Sequence, residues 1–163
     1  SGGRVQTVVV RLIIDKENEI NEFYNKECSS NFKFNACFQD LNKKEFAWPI
    51  KGKVATYFND FVGSAPSKGI DIQAQAGELV RASREGIVVL SNHVGGYGQT
   101  VMIEHYDGFL TVYAMNQKVL VKAGDKVFKG DPIAEVAQMG SKTVEHFEIR
   151  KVNVATNPLY YLP

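Results

Sequence analysis

Two side chains in this sequence are of the kinds that do chemistry. Asp71 lies in Gly69-Ile70-Asp71-Ile72, and His146 lies in Glu145-His146-Phe147-Glu148-Ile149-Arg150. A carboxylate and an imidazole can together ligate a metal or share a proton. Catalytic zinc takes three protein ligands and keeps a fourth position for water. The chain has 3 histidines in all, so the search for a third ligand is narrow. His93 precedes Gly95-Gly96 in what reads as a solvent-facing loop. His105 stands at a strand end before the Asp107-Gly108 turn, off any ligand cluster, and reads as a structural ring. Glu145 alternates away from His146 along an extended strand and cannot easily join its ligand set. Short of a third ligand, Asp71 and His146 read as hydrogen-bonded residues of a half-buried cleft more readily than as a metal pair.

The elements that must position these residues follow from texture. The chain has 163 residues, 44% apolar and 23% charged, which suits one compact domain with a flank. A formal net charge of +1 gives no field that would favour nucleic acid or an anionic membrane. No apolar run is long enough to span a bilayer. Ser1-Gly2-Gly3 reads as a cloning scar. Residues 1–45 form the flank: a strand at Val5 to Ile14, a short helix across Asp15 to Glu27, then an irregular stretch. Cys28 and Cys37 either close a small loop in an oxidising compartment or stay reduced; the sequence leaves both open. From Phe46 onward, strand-length apolar runs alternate with glycine turns: Ile87 to Leu90, Thr100 to Glu104, Leu110 to Ala114 and Lys118 to Val121. This predicts an all-β antiparallel sandwich over residues 46–163. Ala76-Gly77-Glu78-Leu79-Val80 recurs as Ala123-Gly124-Asp125-Lys126-Val127. Each copy reads as a turn feeding a strand that packs across a pseudo-symmetric partner.

The ordered set Trp48-Pro49, Gly52, Lys68-Gly69-Ile70-Asp71, Gly96-Tyr97-Gly98, His105, Tyr113, Gly124, Gly130 and His146-Phe147-Glu148-Ile149-Arg150 resembles the lysostaphin/LytM-type zinc endopeptidases of bacterial cell walls. The resemblance runs over residues 46–163 and implies their duplicated hybrid β fold. Active members use a His-x-Gly-x-Asp and a His-x-His motif, with a further His after the Tyr of the central strand. Carried over position by position, Asp71 and His146 persist. The first ligand position holds Ser67, and the two proton-handling positions hold Met115 and Val144. A hydroxyl is a poor zinc ligand, and neither a thioether nor an isopropyl group transfers a proton. The resemblance therefore implies a member with no catalytic residues, no metal and no cofactor.

The ending Asn157-Pro158-Leu159-Tyr160-Tyr161-Leu162-Pro163 and the phrase Lys68-Gly69-Ile70-Asp71-Ile72 are similar to the degenerate NlpD/EnvC-like type. That implies a periplasmic or envelope protein, anchored through a segment upstream of this chain, that activates an N-acetylmuramoyl-L-alanine amidase in cell separation. The stretch Gln138 to Val144 reads as a shortened loop beside the cleft, and residues 4–45 show no LysM module. The expected partner surface is the old groove: Ser67, Asp71, Tyr97, Met115, Val144 and His146. Met115 and Val144 would give it an apolar floor, or merely fill the space of lost histidines. Peptidoglycan is a second ligand for the same groove. Competing readings are an inactive subunit beside an active relative and a zinc endopeptidase with a rearranged site. A carrier domain lacks its exposed Lys hairpin.

Overall fold

The computed structural model describes residues 45–163. The strand at Val5 to Ile14, the helix at Asp15 to Glu27, Cys28 and Cys37 lie outside the described residues. Twelve strands follow in order: β1 (Val54–Thr56), β2 (Phe61–Val62), β3 (Ala65–Pro66), β4 (Ile70–Gln73), β5 (Leu79–Arg81), β6 (Gly86–Val94), β7 (Gly98–Glu104), β8 (Phe109–Val119), β9 (Lys126–Val127), β10 (Pro132–Val136), β11 (Val144–Lys151) and β12 (Val154–Thr156). A 3-10 turn at Pro158–Tyr160 closes the domain, with the Asn157 side chain accepting from the Leu159 N–H. The main sheet runs β1-β4-β11-β8-β7-β6-β9, every neighbouring pair antiparallel. β12 adds to β11, β10 bridges β8 and β5, and β2–β3 is a separate hairpin.

Burial explains this arrangement. β11 is covered along nearly its whole length, because β4 and β8 flank its first half and β8 and β12 its second. Ile70, Ile72, Val101, Ile103, Tyr113, Phe147 and Ile149 of the main sheet share one core with Val80, Ile133, Ala134 and Val136 of the β5–β10 arm. That arm continues the same sheet from β8 beyond its kink and turns its apolar side onto the shared core. Phe46 stacks edge-on against His105, Phe109 and Tyr161 at one end. Trp48 donates its indole N–H to the Pro163 carbonyl at 2.9 Å, tying the first described turn to the last residue.

The internal repeat is an exchange of strands. Gly77 and Gly124 both take left-handed backbone, φ 81° and 97°, which a side chain would oppose. Gly77 N–H donates to Val136 O, and Val136 N–H to Glu78 O. In the second copy Gly124 N–H donates to Val88 O, and Val88 N–H to Asp125 O. The first turn thus feeds β5 onto β10, and the second feeds β9 onto β6.

Two local expectations change. The runs at Leu110 to Ala114 and Lys118 to Val121 belong to one strand, β8, through residue 119. Met115, at φ 66°, kinks it so that β11 pairs before the kink and β10 after it. His93 is exposed, as expected, but sits on β6 and not in a loop.

Candidate functional site

Asp71 and His146 meet because β4 and β11 are neighbours in register, His146 opposite Asp71. Gly69 permits the approach: a Cβ there would lie 2.2 Å from the Phe147 carbonyl oxygen. His146 Nδ1 stands 2.7 Å from Asp71 Oδ1, and Nε2 stands 3.0 Å from Glu148 Oε1. Glu148 is fully buried and also accepts from the Tyr97 hydroxyl at 2.7 Å and from Arg150 Nε at 2.7 Å. With the ring protonated, two carboxylates face an imidazolium and a guanidinium, so the network carries no net charge.

Burial alone would strip the proton from His146, but its bonds to Asp71 and Glu148 outweigh that, and the ring is pushed up to about 9. Burial would raise Asp71 and Glu148; His146, together with Thr56 and Lys142 at Asp71 and with Tyr97 and Arg150 at Glu148, outweighs it, and both carboxyls lie below their ordinary values. Burial and the bond to Glu148 push the Tyr97 phenol up to about 12.

A groove of about 300 Å³ opens above this pair, lined by Val62, Ala65, Pro66, Ser67, Lys68, Asp71, Gly96, Tyr97, Met115 and His146. Of the six residues expected there, five line it. Val144 does not: it is buried, 8% exposed, at the start of β11. Alternation puts it on the His146 face, one step past the groove's edge. Apolar lining comes instead from the β2–β3 hairpin, which the sequence reading missed. Its signal was an apolar cluster, Phe61-Val62 and Ala65-Pro66, just before Ser67. Glu148 was also missed as a site residue; its signal was its place two residues after His146 on one strand face. His105 is a structural ring, held between Glu85 O at 2.6 Å and Thr111 Oγ1 at 2.9 Å. The Gln138–Val144 stretch is a tight turn, with Met139 and Lys142 bonded N–H to carbonyl both ways.

The residues present do not fit a catalytic zinc. Asp71 and Glu148 sit on opposite ring nitrogens of His146, so the three cannot converge on one ion. Ser67 donates its hydroxyl to the Gly69 carbonyl at 3.0 Å. Among the described residues no group of three His, Cys, Asp or Glu side chains could hold a metal. Met115 lines the groove and has no proton to move.

Comparison with known proteins places this geometry. The Escherichia coli murein hydrolase activator NlpD is 41% identical over 118 residues, covering 71% of this chain and 31% of NlpD. The outer membrane antigenic lipoprotein B of Haemophilus influenzae is 40% identical over 118 residues, covering 71% of this chain and 29% of the lipoprotein. The chain thus spans under a third of the length of these relatives. Among solved structures, Helicobacter pylori Csd3 superposes with a TM-score of 0.65 at 29% identity, over 72% of this chain and 33% of Csd3. The model of peptidase family M23 matches residues 65–158, from the second strand of the groove hairpin to the closing turn, and the chain belongs to that family.

Proposed function

We propose that this chain is a non-catalytic domain of the bacterial cell envelope that binds and activates a peptidoglycan hydrolase, of the N-acetylmuramoyl-L-alanine amidase class, during wall remodelling and cell separation. One observation carries the reading: the family's groove is kept while its chemistry is closed. Both nitrogens of His146 are committed to carboxylates, and Met115 lines the groove beside them. The name of NlpD supports the role, and the name of lipoprotein B supports the location.

The groove has the character of a protein-binding cleft. Val62, Ala65, Pro66 and Met115 are apolar, and Phe61, beside them on the hairpin, is 75% exposed. An apolar concavity with a few fixed polar groups is the default binding site. The apolar face of a partner segment would bury against this surface, with Lys68 and Tyr97 making polar contacts.

The test is an amidase assay on labelled sacculi, with the chain and an amidase from its own organism. Val62→Asp places a charge that only the complex would bury, and Met115→Glu one that the complex would bury fully, so activation should fall at least tenfold while circular dichroism is unchanged. Val144 is not a suitable probe, because a charge there would be buried in the free protein. Full activation by both folded variants would overturn the groove as the partner surface. Failure of the wild-type chain to activate any such amidase would overturn the activator role in favour of an inactive subunit beside an active relative.

A further inference from the structure

We infer that Glu145 is held as a neutral carboxylic acid that donates to the Asn116 amide oxygen, and that this buried pair positions Met115 along the groove. The inventory of donors and acceptors carries it. Glu145 is completely buried on β11, on the face opposite His146, and neither carboxyl oxygen has a hydrogen-bond partner. The side chain that interacts with it is the Asn116 amide, itself 4% exposed; a hydrogen donated by that amide would favour the ionised form. Asn116 has used both amide hydrogens, on Gln99 O and Tyr113 O, each at 3.2 Å, and its Oδ1 is unpartnered. Three buried acceptors therefore share a pocket with no donor among them. Buried polar atoms are almost always bonded, and an unpaired buried carboxylate is far more costly than a neutral acid. A proton on Glu145 is the donor that the site lacks. The titratable groups acting on it are the Asp71 carboxylate from β4 and the Tyr113 phenol from β8; neither favours a negative charge there.

The pair sits directly behind the kink of β8. Met115 has left-handed backbone, a state that a methionine adopts only when its surroundings hold it. Its N–H is bonded to Tyr97 O at 2.7 Å, and its carbonyl accepts from Ala137 N–H at 3.0 Å. The Asn116 bond to Tyr113 O spans Met115, and the bond to Gln99 O fixes the kink to β7. Asn116 is thus a positioning residue for the groove, with Glu145 locking its amide from behind. Its functional meaning rests on the groove reading above, but its geometry does not.

The experiment uses the full chain with methyl-labelled methionine, which gives 3 resonances. Asn116→Ala and Glu145→Ala should shift and broaden the Met115 methyl signal and leave Met102 in place. Glu145→Gln, whose amide can donate without a titratable proton, should leave Met115 at its wild-type position. The infrared spectrum of wild-type protein at neutral pH should carry a protonated-carboxyl band that Glu145→Gln loses. Absence of that band overturns the neutral acid, and an unmoved Met115 signal in folded Glu145→Ala overturns the positioning. Should Asn116→Ala fail to fold, the two Glu145 variants and the wild-type band still decide. A shifted Met115 with undiminished amidase activation would uphold the positioning and count against the groove as partner surface.

Discussion

At the scale of residues, the site is a chain of proton-mediated contacts, and its behaviour with pH follows. His146 is raised from 6.5 to about 9 in the folded protein, so the stability it contributes is complete below 6.5 and is lost as pH rises through about 9. Asp71 and Glu148 are lowered, so their contribution holds above their ordinary values of 3.8 and 4.5 and is lost as pH falls. Glu145, raised by burial, acts in the same direction as His146: its contribution is complete below 4.5 and declines above. Urea titrations should therefore give greatest stability at mildly acidic pH and a fall on the alkaline side. Glu145→Gln should flatten part of that fall and stabilise the protein at pH 8, which the same titrations would read. His146→Ala leaves two buried carboxylates facing each other and should cost about 3–5 kcal/mol at neutral pH. Asp71 and His146 were legible in the sequence because a dense, ordered motif set carries them. Glu148 and Glu145 were not, because their roles depend on which strands flank β11, and composition does not state strand order. A glutamate that only alternates away from a histidine can face water or a core; here it faces a core.

At the scale of elements, β8 shows what apolar runs can and cannot say. The polar pair Asn116-Gln117 reads as a break between two strands, while the chain continues through a left-handed residue and changes partner. No residue type announces that conformation, since methionine rarely adopts it. The strain is measurable. Met115→Gly and Met115→Ala lose the same contacts, yet only glycine relieves the backbone, so the glycine variant should be the more stable by about 1 kcal/mol in chemical denaturation. The β11–β12 turn offers an independent case, with Val152 at φ 49° and 52% exposed. Val152→Asn should raise stability by about 1 kcal/mol, because asparagine tolerates that region and a β-branched residue does not. Thermal unfolding of that variant should move to higher temperature. The β2–β3 hairpin was the least legible element: two short pairs with a proline in one strand carry too little periodicity to be seen.

At the scale of the whole molecule, the sandwich was readable from the glycine spacing, whereas the fold alone does not state what the groove does. Its metal chemistry is a matter of three positions. The purified chain dialysed against zinc and then buffer should retain well under one ion per molecule by elemental analysis; a stoichiometric ion would contradict the closed network around His146. The exchanged pairing of β5 with β10 and β9 with β6 bears on how the protein is made and lost. Neither half of the repeat holds its own turn strand; each lends it to the other. Within residues 45–163 neither half of the repeat is therefore complete by itself, and β5 and β9 gain their partners only once long loops have closed. Folding of residues 45–163 should be slow and all-or-none, with one exponential phase and coincident transitions by fluorescence and circular dichroism. Cutting the backbone at the exposed Gly108, in the turn before β8, should yield two fragments whose β strands recover the sheet only when mixed.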